Sequence, residues 1–97
     1  MILHTLNRAP DSAAFRDCLR FLTADDALLL LGDGIYAALK DSSSSEELAV
    51  TGASLYVLEA DASAAGIVNL LGNDLTLVDF AKFVELTEHF PRQQAWH

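Results

Sequence analysis

The chain has 97 residues, with six Lys and Arg against fourteen Asp and Glu and a formal net charge of −8. That length is one domain, and so acidic a chain with scattered basic residues argues against direct binding of a polyanionic nucleic acid. Its longest apolar run, Ala27 to Leu31, falls far short of the ~20 residues that cross a bilayer.

The N-terminus lacks the charged start and long apolar stretch of a signal peptide. One cysteine makes no internal disulfide, so a cytoplasmic protein is expected. The apolar fraction, 52%, exceeds the roughly 45–50% of an ordinary soluble chain. On a small domain, such a surplus points to an interface with a partner.

Ile2 to Leu6 reads as a first strand. Asn7 to Asp11 reads as a turn leading to a helix capped by Asp11 or Ser12, with Phe15, Cys18, Leu19 and Leu22 on its apolar stripe. Arg16, Asp17 and Arg20 take the other face. Ala27 to Leu31 suits a central strand covered on both sides. Gly32-Asp33-Gly34 turns the chain, and Ile35 to Leu39 forms a brief helix. The run Asp41 to Glu47, with four consecutive serines, reads as a mobile surface loop.

Leu55 to Leu58 makes a third strand, and Ala62 to Val68 a small helix. Leu75 to Val78 is a fourth strand. Asp79 caps a helix with Phe80, Phe83, Val84 and Thr87 on one side and Lys82, Glu85 and Glu88 on the other; Pro91 stops it. Gln93 to Trp96 is a fifth strand. Strand and helix alternate throughout, which predicts a three-layer α/β domain over residues 1–97, with a mostly parallel sheet of about five strands flanked by helices.

Gly32-x-Gly34-x-x-Ala37 fits a loose dinucleotide fingerprint, with Glu59 at about the right distance to meet a ribose. Against that reading, Asp33 would repel a phosphate and the following helix is short. A turn in which Asp33 bonds its own backbone accounts for the same letters.

Cys18 is the one residue with distinctive nucleophilic chemistry, since a thiolate can carry a persulfide. Its place on the apolar stripe equally fits a buried cysteine acting as a small hydrophobe. His4, His89 and His97 have no metal spacing, so neither a metal nor a cofactor is expected. His4, in a strand, reads as a hydrogen-bonded core or interface residue. His89 follows Glu85 by four positions, which favours a helix-surface pair. Trp96 suits either an interface anchor or a cover for the sheet's edge.

The opening MILHTLNRAP, the central LLLLGDGIYAAL and the terminal VDFAKFVELTEHFPRQQAW together resemble the TusB/DsrH family of sulfur-relay subunits. The Leu-His-Thr-Leu start with Arg8 and Pro10, the Asp-Gly turn before Tyr36-Ala37-Ala38, and the tail ending in Trp96 carry the match. The resemblance implies a DsrEFH-like, small flavodoxin-like fold. It implies a hetero-oligomer with TusC-like and TusD-like paralogous subunits, a dimer of heterotrimers. In that relay a TusA-like donor delivers persulfide sulfur and a TusE-like acceptor takes it on, for 2-thiolation of the tRNA wobble uridine. The principal sulfur-carrying cysteine would sit on the TusD-like partner. A related set of subunits serves sulfur oxidation, and there Cys18 would be a DsrH-like persulfide carrier.

Overall fold

The computed structural model describes all 97 residues. Five strands form one all-parallel sheet: β1 (Leu3–Leu6), β2 (Ala27–Leu30), β3 (Ser54–Leu58), β4 (Thr76–Val78) and β5 (Gln93–Trp96), in the spatial order β4-β3-β2-β1-β5. Four α-helices join them: α1 (Ala13–Phe21), α2 (Ser43–Val50), α3 (Glu59–Ala64) and α4 (Phe80–His89). Two short 3-10 helices, Gly32–Ala38 and Val68–Leu70, complete the connections. The expected α/β class, strand number and parallel sheet are all observed.

The order of the strands explains why the two faces are covered so unequally. From β1 the chain steps one strand at a time toward β4, and then crosses back to lay β5 beside β1. Right-handed crossovers in one direction put their helices on one face; the return crossover puts its helix on the other. Leu6, Phe15, Cys18, Leu28, Leu30 and Val57 therefore belong to the larger core, under α1 to α3. Leu3, Ala27, Leu29, Val78 and Leu86 make the smaller core, under α4 alone. All four residues of β2 are buried, as a central strand between two layers requires.

Ser12 is the cap of α1: its hydroxyl accepts the Phe15 N–H at 3.2 Å. Phe15, Cys18 and Leu22 are buried, as their spacing predicts.

Several local readings are corrected. The serine run is no loop. Ser42 caps α2 by accepting the Ser45 N–H at 3.2 Å, Ser44 donates its hydroxyl to the Ala37 carbonyl at 3.1 Å, and Leu48 is buried. Arg16 on α1 clasps Glu47 through two bonds of 2.7 and 3.2 Å. A sequence rich in serine favours loops only until its hydroxyls find caps and carbonyls to bond.

The turn and brief helix expected at residues 32–39 are one 3-10 helix that begins at Gly32 itself. The helix expected over residues 62–68 starts earlier, at Glu59, directly off β3. It ends where Gly66 takes a φ of +71°. The Gly66 N–H bonds the Ser63 carbonyl and the Ile67 N–H the Ala62 carbonyl, a Schellman closure. On α4 the inward residues are Phe83, Leu86, Thr87 and Phe90, not Phe80 and Val84, which are 67% and 42% exposed. Glu85 pairs with Lys82 at 3.7 Å, and His89 instead lies edge-on to Phe90.

Candidate functional site

The chemistry-bearing side chains gather at one corner of the sheet, where α1, β1 and the edge strand β5 meet. His4 lies on β1, in register with Leu28 of β2 and Gln94 of β5. It is 1% exposed, and Asp26, just before β2, is 5% exposed. His4 Nε2 is 3.1 Å from Asp26 Oδ2. On the other side of the ring, the Trp96 indole N–H donates to His4 Nδ1 at 3.0 Å.

These contacts fix the protonation of the imidazole. An indole nitrogen can only donate, so Nδ1 must carry a lone pair. The ring proton is therefore on Nε2, which donates to the Asp26 carboxylate. The two ring planes are within 18° of parallel, with centroids 6.2 Å apart. That separation is what an N–H···N bond between ring edges requires, and it is wider than a face-to-face stack. Phe21, from the end of α1, packs on the indole at 5.6 Å between centroids.

Asp26 is a hub. It also accepts the Ile2 N–H at 2.9 Å and the Thr23 N–H at 3.1 Å, and the N-terminal ammonium lies 3.8 Å away. Burial alone would push its pKa up, but the bonds from His4, Thr23 and Ile2 outweigh it and hold the carboxyl below the usual carboxylate range.

Cys18 lies in the larger core and is 1% exposed. Burial, with a smaller contribution from the Asp26 charge, pushes its thiol up to about 12. At neutral pH the reactive thiolate is then on the order of one molecule in 10⁵, and it is the thiolate that attacks electrophiles. A disulfide reagent such as dithiobisnitrobenzoate is expected to label Cys18 in the folded chain at least about a thousandfold more slowly than a free thiol, with full labelling in denaturant. Prompt native labelling would contradict this burial.

The glycine turn has its own geometry. The Gly32 N–H, the donor that a bound phosphate would need, already donates to Asp61 Oδ2 at 2.7 Å. Gly34 sits against the end of β1: a Cβ there would overlap the Leu6 carbonyl oxygen. Both glycines thus have work within the fold, one held by a carboxylate and one allowing close packing. Asp33 and Glu59 are both exposed.

Of the residues singled out from the sequence, the structure joins His4 and Trp96. It keeps Cys18 in the adjoining core and leaves His89 against Phe90 at the end of α4. Asp26 is a site residue that the sequence reading does not single out. The available signal was its place immediately before a fully apolar strand, where an acid is at risk of burial and needs partners.

The fold and this corner define a class: a small parallel α/β domain with a protonated buried thiol and a polar cluster fastening its last strand. Within that class the chain belongs to the DsrH family, whose description is "DsrH like protein" and which matches residues 9–93. It is 40% identical over 95 residues to Protein TusB of Escherichia coli (strain K12), spanning 98% of this chain and 100% of that one. Protein TusB of Pectobacterium parmentieri is 39% identical over the same span. Among solved structures, the ychN protein from E. coli superposes with a TM-score of 0.84 at 18% identity, covering 98% of this chain and 97% of that one. Protein Tm0979 from Thermotoga maritima does so with 0.68 at 22% identity, covering 92% and 93%. The TusB/DsrH resemblance seen in the sequence and the fold it implied are both met.

Proposed function

We propose that the chain is a TusB-type subunit of a sulfur-relay complex that passes persulfide sulfur toward 2-thiolation of the tRNA wobble uridine, and that its role there is structural. The observation that carries this reading is the 40% identity to Protein TusB along 98% of the chain. The only thiol is buried and pushed up to about 12, which suits a residue of the core better than a sulfur carrier. The net charge of −8 leaves contact with tRNA to other chains.

In this reading TusC-like and TusD-like sisters complete a heterohexamer in the cytoplasm, with a TusA-like donor and a TusE-like acceptor acting on the sisters. Phe21, Val50, Leu70 and Phe80, all more than half exposed, offer apolar area for such neighbours. Co-expression with the two paralogues, followed by native mass measurement, is expected to yield one assembly containing all three chains. A monomer indifferent to both would overturn the proposal.

The role of the thiol is tested separately. In a reconstituted relay, Cys18→Ser is expected to leave the rate within about twofold of wild type. A loss of about tenfold or more, with sulfur found on Cys18 by mass spectrometry, would move the chain to the DsrH-like carrier reading and sulfur oxidation. The nucleotide-binding alternative has the least support, because Asp61 already holds the Gly32 N–H.

A further inference from the structure

We propose that the bond between His4 and Trp96 is a proton-operated latch on the C-terminal strand. In the closed state Nδ1 of His4 accepts the indole N–H at 3.0 Å. A proton taken from solvent can enter the ring only at Nδ1, because Nε2 already carries one for Asp26. Two N–H donors would then face each other across that distance. The contact cannot survive as a hydrogen bond, and the indole must leave.

The surroundings favour release of this strand in particular. β5 is an edge strand, paired on one side only, through Leu3 to Leu6. Gln93, Gln94 and Ala95 are exposed, and Trp96 is the one residue of the strand that is partly buried. An edge strand held by one short ladder opens readily without an anchor. The imidazolium, by contrast, stays where it is. Asp26 faces its Nε2 side and is fixed by the Ile2 and Thr23 N–H groups.

The charged and titratable groups around the ring are few. Asp26 faces it directly, and the N-terminal ammonium stands 3.8 Å beyond Asp26 Oδ1. α1 brings the Cys18 thiol, which feels the Asp26 charge but stays protonated, and Phe21, which meets the indole. β2 and β5 bring Leu28 and Gln94 in register with His4, and neither titrates. Asp26 on the Nε2 side and the indole N–H on the Nδ1 side are the ring's two polar contacts.

Trp96 is the only tryptophan, so the intrinsic fluorescence of the full chain reports the latch. Across a pH titration of the folded chain, the emission is expected to follow a one-proton curve. Over the same range, amide protection in β5 should fall about tenfold or more while protection in β2 holds. His4→Gln takes up no proton there, and its emission should stay flat. A flat wild-type signal, or the same transition in His4→Gln, would overturn the proposal.

Trp96→Phe provides an arm that does not depend on the fold tolerating a change at His4. Without the indole N–H, neutral His4 loses a bond of about 0.5–1.5 kcal/mol. Proton uptake by His4, followed by NMR, should therefore become easier than in wild type. Uptake no easier than in wild type would mean that the two rings are not coupled.

Discussion

Gly34→Ala is expected to destabilise the chain by about 3 kcal/mol or more, and to leave little folded protein in a domain of this size. The added methyl would overlap the Leu6 carbonyl oxygen. That oxygen cannot retreat, because Leu6 is fully buried, its carbonyl accepts the Leu31 N–H at 3.1 Å, and β1 is paired with strands on both sides. Overpacking against fixed backbone has no flexible side chain to absorb it. Gly66→Ala is the control. Gly66 has the left-handed φ of +71° but open space around its Cα, so only the conformational cost remains, about 1 kcal/mol. Chemical denaturation of the two variants should separate them by at least about 2 kcal/mol. Equal losses would mean that the close approach at Gly34 is not what the turn depends on.

Asp26→Ala is expected to cost about 3–5 kcal/mol, because it strips a buried hub from several donors at once. The Ile2 and Thr23 N–H groups and His4 Nε2–H would all lose their acceptor. Asp26→Asn should recover part of this, since an amide oxygen can still accept but carries no charge. The pH dependence has a definite sign. The folded-state pKa of Asp26 lies below its ordinary value, so the unfolded chain takes up the proton first. Its stabilisation is fully present above the ordinary carboxylate range near about pH 4 and is lost as pH falls through the folded value. Acid denaturation of wild type should therefore show a fall in stability below about pH 4 that Asp26→Asn largely lacks.

These two positions also mark the boundary between what the chain announces and what it hides. Gly34 was visible as part of a Gly-Asp-Gly signal, but its letters admitted both a phosphate cradle and a plain turn. Only the structure shows Asp61, 29 residues away, accepting the Gly32 N–H. Asp26 was hidden because a carboxylate in a polar stretch looks solvated; its burial follows from Ile2 and His4 arriving from another strand.

The elements divide along the same line. The helix carrying Phe15, Cys18 and Leu22, the central strand at Ala27 and the cap at Asp79 were legible, since spacing, apolar runs and capping residues are local signals. The serine run was misread because α2 depends on partners outside itself: Ala37 for Ser44 and Arg16 for Glu47. The inward face of α4 was partly misread because its apolar residues wrap around the helix. Which of them turn inward is set by the sheet below, where Leu3, Leu29 and Val78 receive Leu86.

By itself, the sequence determined the alternation of strand and helix, and hence a parallel α/β sheet, because hydrophobic period and turn chemistry act over a few residues. It also carried the family, through motifs spread along nearly its whole length. The tertiary structure alone decided the placement of β5 beside β1, the thin cover of one sheet face, and the union of His4, Asp26 and Trp96. Those depend on a return crossover and on contacts between residues 22 and 92 positions apart, distances over which local preference has no reach and only the closure of a common core selects the neighbour.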